Sequence, residues 1–232
     1  MTESSIAERL AKVLDRIDRA ARASSREPGD VQLVAVSKTK PVSFIREAYE
    51  AGQRDFGENY AQELAQKAEE LADLPDLRWH FIGHLQTNKA RFVAKAANMV
   101  HTIDGPALAR ELGKRAAKEG YGGEGRDPLA VLVEVNVGAE PQKHGASPAA
   151  LGDVLASVAR EPSLVLRGLM TMPPNDLEGA RRAFEALVSL RSLHGGRSKL
   201  PELSMGMSDD LEVAIACGAT LVRVGSAIFG SR

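Results

Sequence analysis

The chain of 232 residues carries 30 Lys+Arg against 31 Asp+Glu, a formal net charge of −1, with 44% apolar and 26% charged residues. That balance excludes a disordered chain, which has less to bury and a larger net charge. It also argues against a nucleic-acid binder, because a near-neutral surface has no global pull on phosphate polyanions and ten aromatic residues are few for a base-stacking platform. The single cysteine, Cys217, forms neither an internal disulfide nor a thiolate metal cage. No apolar run approaches bilayer length. The amphipathic N-terminus contains Glu3, Glu8, Asp15 and Asp18, unlike an acid-poor transit peptide, so the expected compartment is the cytoplasm.

In chain order, apolar residues at Ile6, Leu10, Val13, Leu14 and Ile17 predict an amphipathic helix. Eight short β-branched apolar segments follow, at 31–37, 54–58, 79–83, 99–103, 129–136, 164–170, 203–206 and 221–224. Between them lie stretches rich in Ala, Leu, Glu, Lys and Arg, with helical periodicity clearest at 61–72, 106–119, 148–160 and 177–193. Strands such as LVAVS and VLVEVNV are apolar at nearly every position, as in a parallel sheet covered by helices on both faces. A doubly wound open sheet and an eight-stranded barrel both fit, and eight repeats in this length favour the barrel. No linker divides the chain, so 1–232 reads as one α/β domain, a (β/α)8 TIM barrel with an extra N-terminal helix.

Segments entering strands, such as 120–127 and 195–199, read as solvated turns. Segments leaving strands (SKTKP, GENYAQ, GHLQTNK, NVGAEPQKHG, MTMPPN, MGMSDD, GSAIFG) mix glycine with Lys, Asn, Gln, His and Ser. Barrel active sites lie at this strand-exit face. Lys38 follows an apolar strand on the same face as Val34 and Val36; desolvation there lowers an ammonium pKa and favours imine formation, while a solvated rim lysine is the plainer role. Lys40, before Pro41, reads as solvated. Ser208 reads as the N-cap of a helix over 209–217, and with Gly225 and Ser226 it offers a phosphate cradle after the last two strands. Asp209 and Asp210 must then point outward. Arg223, inside an apolar strand, needs an acceptor: a ligand atom, or a carboxylate such as Glu134. His80 and His84 are spaced to share a strand face, a weak metal pair whose commoner role is structural, and Asn59 offers an amide to a ligand or caps the next helix. No P-loop, dinucleotide fingerprint or serine nucleophile elbow is present.

AVSKTKP at 35–41, FGENYAQE at 56–63, WHFIGHLQTNK at 79–89, GLMTMPP at 168–174, SMGMSDDLEVAI at 204–215 and VRVGSAIFG at 222–230 together resemble the pyridoxal phosphate homeostasis family (YggS/PROSC type). The chain is similar also to the barrel domain of alanine racemase, without that enzyme's second, β-rich domain. The resemblance implies a barrel that binds pyridoxal 5′-phosphate (PLP) covalently. By motif, Lys38 forms the Schiff base, and Ser208, Gly225 and Ser226 hold the phosphate. Arg223 faces the pyridine nitrogen, Asn59 and the strand end from Ile82 to His84 line the cofactor, and Met207 lies in the phosphate loop. Ser226 and Val224 stand where Thr and Ile are frequent; both keep the chemistry.

The implied role is vitamin B6 homeostasis, with PLP handed to apo-enzymes and no robust turnover. A permanent charge at Arg223 weakens the ring as an electron sink, and the second acid/base of a racemase is not identified; Tyr60 is the nearest phenol by motif. No catalytic residue and no metal ligand is therefore assigned. The expected partners are PLP and, transiently, PLP-dependent apo-enzymes, with no nucleic acid or membrane, and the chain is expected to be a monomer. Two alternatives stand: a single-barrel PLP-dependent amino-acid racemase, and a Schiff-base aldolase whose phosphate belongs to a sugar. Lys143, in the loop 136–145, reads as a second PLP contact during transfer.

Overall fold

In a computed structural model, which describes residues 4–138, 140 and 142–230, the chain begins with helix α1 (Ile6–Ala23). Ser5 and Glu8 cap it reciprocally. The Ser5 hydroxyl accepts from Glu8 N, and the Glu8 carboxylate accepts from Ser5 N, so two otherwise orphaned donors are satisfied. Ile6, Leu10, Val13 and Ile17 are buried along one face. Leu14, expected in the same stripe, falls at its edge and is 40% exposed. Glu3 lies outside the described residues.

From there strand and helix alternate: β1 (Gln32–Val36), α2 (Val42–Glu50), β2 (Asp55–Glu58), α3 (Ala61–Glu70), β3 (Arg78–Phe81), α4 (Ala90–Ala96), β4 (Met99–Ile103) and α5 (Pro106–Lys118). The second half continues with β5 (Leu129–Glu134), α6 (Leu151–Ala159), β6 (Leu164–Met170), α7 (Leu177–Leu193), the single-turn α8 (Gly196–Lys199), β7 (Glu202–Ser204), α9 (Leu211–Ala216), β8 (Leu221–Val224) and α10 (Ser226–Phe229). All eight strands pair in parallel in chain order, and β1 closes on β8, so the sheet is a closed (β/α)8 barrel. Every strand of the sequence reading is present, with ends shifted by up to two residues. The segment 195–199, expected as a solvated turn, makes the helical turn α8.

The strands alternate between two environments. Outward residues such as Phe56, Phe81, Val131 and Leu169 pack under helix residues such as Leu64, Val93, Leu112 and Leu187 in one continuous core. Each such side chain contributes roughly 1.5–3 kcal/mol on burial. Inward, Val34, Leu132, Met170 and Leu221 form a separate small cluster. The rest of the interior departs from the branched apolar filling common in such barrels, because Asp55, His80, His101, Ser204 and Arg223 are buried there too. Helix α1 lies outside the ring against α9, α10 and α2. Among the described residues no helix is long and apolar enough to cross a membrane.

Candidate functional site

Because the strands are parallel, their C-terminal ends share one rim. Val36, Lys38, Asn59, Ile82, Met172, Met207, Ser208, Asp209, Arg223, Gly225 and Ser226 line a cleft of about 300 Å3 there. That volume sits at the lower end of small-molecule sites, which run from about 300 to 1,000 Å3. The cleft brings together every expected cofactor-binding residue except His84, and adds Val36, Met172 and Asp209. Lys38 is half-buried and emerges on the face of Val34 and Val36, as alternation requires.

The Ser208 end is built by two loops. Gly206 has φ +95°, a left-handed conformation suited to glycine, and a Cβ there would meet Ala214 Cβ at 2.5 Å. Ser208 does not cap the next helix as expected. Helix α9 starts three residues later, at Leu211, and Asp210 folds back so that its Oδ1 accepts from Met207 N at 2.5 Å. Asp210 is therefore buried, not outward-facing; Asp209 is exposed at the cleft edge. Freed from capping, Ser208 Oγ stands 3.3 Å from Ser226 Oγ. Gly225 presses on β1, where a Cβ would meet Val36 O at 3.1 Å.

Arg223 forms the floor. It is 3% exposed and donates to Ser204 Oγ at 2.7 Å, to Thr171 O at 3.0 Å and to Met172 Sδ at 3.2 Å. Its contacts are thus neutral acceptors, not an ion pair with Glu134, although the Glu134 carboxylate still favours its charge. Burial lowers the guanidinium to about 10, which leaves it a cation at neutral pH. Burial likewise raises Glu134 to about 7, against the pull of Arg223.

From Arg223 a file of side chains crosses the barrel interior. Ser204 Oγ lies 2.8 Å from His101 Nδ1, His101 Nε2 lies 3.0 Å from His80 Nδ1, and His80 Nε2 lies 3.0 Å from Asp55 Oδ1. Asp55 then accepts from Arg78 at 2.7 and 2.6 Å. Burial opposes ionisation of Asp55, but the bonds from Arg78 and His80 outweigh it and hold the carboxyl below the usual carboxylate range. Complete burial pushes His101 well below the usual imidazole range. With Asp55 ionised, His80 Nε2–H donates to it at one end of the file, and at the other Arg223 donates to Ser204 Oγ. His80 therefore takes the structural role.

The remaining candidates are placed as follows. Asn59 Oδ1 is buried without a hydrogen-bond partner, and Asn59 does not cap α3. His84 lies past the end of β3, stacked on His144 at 3.7 Å between centroids and 3.5 Å from Asp104. It borders a neighbouring hollow with Tyr60, Gln62 and Lys89, apart from His80, so the two histidines do not share a face. Among the described residues no group of three or more His, Cys, Asp or Glu side chains converges as a metal site. Lys143 pairs with Glu140 at 2.6 Å and reaches Met172 O at 3.4 Å, beside the cleft. Ala139 and Pro141 of its loop lie outside the described residues. Asp55, His101 and Ser204 went unread because adjacent-strand partners become visible only with the register; alternation from His80 was the one available signal.

The sequence profile of the alanine racemase N-terminal domain matches residues 9–232. A Pseudomonas aeruginosa protein named pyridoxal phosphate homeostasis protein is 48% identical, over 99% of this chain and 96% of its own. An Escherichia coli K12 protein of the same name is 44% identical, over 98% and 97%. The structure of PipY from Synechococcus elongatus PCC7942 with PLP bound superposes with a TM-score of 0.80 at 39% identity, covering 97% of this chain and 100% of that one. Alanine racemase of Corynebacterium glutamicum, at 16% identity, shares the barrel with a TM-score of 0.65; the match covers 95% of this chain and 61% of the racemase.

Proposed function

The chain belongs to the pyridoxal phosphate homeostasis family, and from that premise we propose that it binds PLP in the strand-exit cleft, as a Schiff base on Lys38, and passes it to apo-enzymes without robust turnover of its own. The observation that carries this reading is one cleft that holds Lys38, the Ser208–Ser226 hydroxyl pair and buried Arg223 together. The residues fit the cofactor. Lys38 would hold the group, since a neutral amine can condense with its aldehyde with release of water. The hydroxyls of Ser208 and Ser226, with the loop at Gly225, suit a phosphate. The unpartnered Asn59 Oδ1 suits a polar ring substituent. Met207 and Ile82, which line the cleft, would cover the ring's apolar surface. His84, outside the cleft, has no direct part in this reading. The whole of 1–232 serves the task as one domain.

When bound, PLP supplies an electron sink whose strength depends on protonation of its pyridine nitrogen. Arg223 stays a cation and is fixed by three acceptors, so at that nitrogen it opposes protonation. Tyr60, the nearest phenol by motif, is 52% exposed and borders the neighbouring hollow, not the cleft, which speaks against a role as a racemase's second acid/base. Both features favour holding the cofactor over reacting on it.

The test is the visible absorption spectrum of purified protein beside that of Lys38→Ala, followed by mixing with a PLP-dependent apo-enzyme. We expect an imine band in the wild type, none in the variant, and activation of the apo-enzyme without racemisation of an enantiopure amino acid. Sustained racemisation by homogeneous protein would move the racemase reading to the front. A colourless wild type that takes up no added PLP would favour the aldolase.

A further inference from the structure

The segment that supplies Asn59 also supplies Glu58 and Glu63, which converge with Lys67 behind β1. Lys67 Nζ lies 2.8 Å from Glu58 Oε1 and 2.7 Å from Glu63 Oε1, and donates a third bond of 2.8 Å to Ser37 O. Ser37 Oγ donates to the same Glu58 oxygen at 2.7 Å. Thr39 N donates to Glu63 Oε1 at 2.7 Å. The residues on either side of Lys38 are thus each hooked to a carboxylate, and Lys67 joins the two carboxylates. The inner part of the cluster is dry: Ser37 and Glu58 are 0% exposed and Lys67 6%.

Two physical points give the cluster a purpose. A buried Lys–Glu pair is a poor stabiliser, since well-packed apolar residues of similar volume usually do as well. Its value here is geometric. Thr39 has φ +62°, and a β-branched residue rarely holds a left-handed backbone unless something imposes it. The turn is closed by the bond from Lys40 N to Ser37 O at 3.0 Å, and the bond from Thr39 N–H to Glu63 is the side-chain restraint added to it. We infer that Glu58, Glu63 and Lys67 are positioning residues: they hold the turn at 37–39 in its left-handed form and so aim the Lys38 amine into the cleft. The inference rests on the reading of Lys38 as the PLP lysine.

Glu63 is half-buried, and its variants take one of three partners from Lys67 while leaving the buried bonds to Glu58 and Ser37 O in place. The experiment follows the rise of the imine band after PLP is added to cofactor-stripped full-length protein. In parallel it records thermal melting and the hydrogen-exchange rate of the Thr39 amide, which needs no cofactor. Releasing a left-handed non-glycine residue corresponds to about tenfold in population. Glu63→Ala is therefore expected to form the band about tenfold more slowly, with faster Thr39 exchange. Glu63→Gln keeps the acceptor and stays within about threefold of wild type. Adding Thr39→Asn to Glu63→Ala restores most of the rate, because asparagine tolerates the left-handed region. A wild-type rate in Glu63→Ala overturns the inference. So does a loss shared by Glu63→Gln and not rescued by Thr39→Asn, which marks a merely structural or charge effect. A wild type that forms no band removes the Lys38 reading and this inference together. A wild-type band with unchanged variants removes this inference alone.

Discussion

At the scale of single residues, the Ser208 and Ser226 hydroxyls give the site its sharpest test of ligand chemistry. They reach the same point from loops after β7 and β8, 3.3 Å apart. A hydrogen bond to a charged oxygen contributes about 1.5–3 kcal/mol, roughly ten- to hundredfold in affinity. Ser208→Ala and Ser226→Ala are each expected to weaken PLP by about tenfold or more while leaving pyridoxal, which lacks the phosphate, nearly unchanged. Equilibrium dialysis of both vitamers reads this directly, and an equal loss for both would move the phosphate elsewhere. Ser208 was legible as a residue of the rim from its place after β7, and it lines the cleft, but its expected capping role was not borne out. The sequence shows Asp209 and Asp210 beside it without showing that Asp210 would close the loop onto Met207 N and let α9 start later. Competing short polar side chains make such caps ambiguous in sequence alone.

At the scale of elements, α1 acts on the site from outside the barrel. Arg16 Nη2 donates to Ser208 O at 2.9 Å and Arg16 Nε pairs with Glu212 at 2.8 Å, which ties the helix to the loop after β7. Arg9 Nε donates to Ile228 O at 2.6 Å, which ties it to α10 after β8. One helix thus holds both halves of the Ser208–Ser226 cradle. The Arg16–Glu212 pair is partly solvated, 31% and 49% exposed, so it adds little to stability. Its loss should therefore show in the cradle more than in melting. Arg16→Ala is expected to change the melting temperature by only a few degrees and to speed PLP loss to an excess of apo-enzyme severalfold. Unchanged release would mean that α1 is packing alone. Hydrophobic spacing revealed the helix, but not these two tethers, because arginine contacts across some two hundred residues leave no periodic trace.

At the scale of the whole molecule, eight alternations of apolar strand and amphipathic helix made the barrel legible, and the strand exits marked the rim that carries the cleft. The interior was not legible in the same way. The file from Arg223 through Ser204, His101 and His80 to Asp55 and Arg78 draws on five different strands and exists only once they are in register. Its far end makes the acid behaviour of the protein predictable. Asp55 has a folded pKa below its unfolded value of about 3.9, so its stabilising effect is fully present above that value. The effect is lost as pH falls below about 3.9 toward the folded pKa, because the unfolded chain then binds the proton first. Asp55→Asn is expected to cost roughly 2–3 kcal/mol at pH 7, since it leaves His80 a weaker acceptor and Arg78, 52% exposed, a partner it can replace with water. The cost should shrink as pH approaches 3, because the unfolded wild-type chain takes up a proton at Asp55 there while the folded chain does not, and the asparagine variant has no such loss. Melting curves of both proteins across that range check the sign. A difference that stays constant with pH would mean that Asp55 stabilises by shape and not by charge, and its bonds from Arg78 and His80 would not be those of a carboxylate.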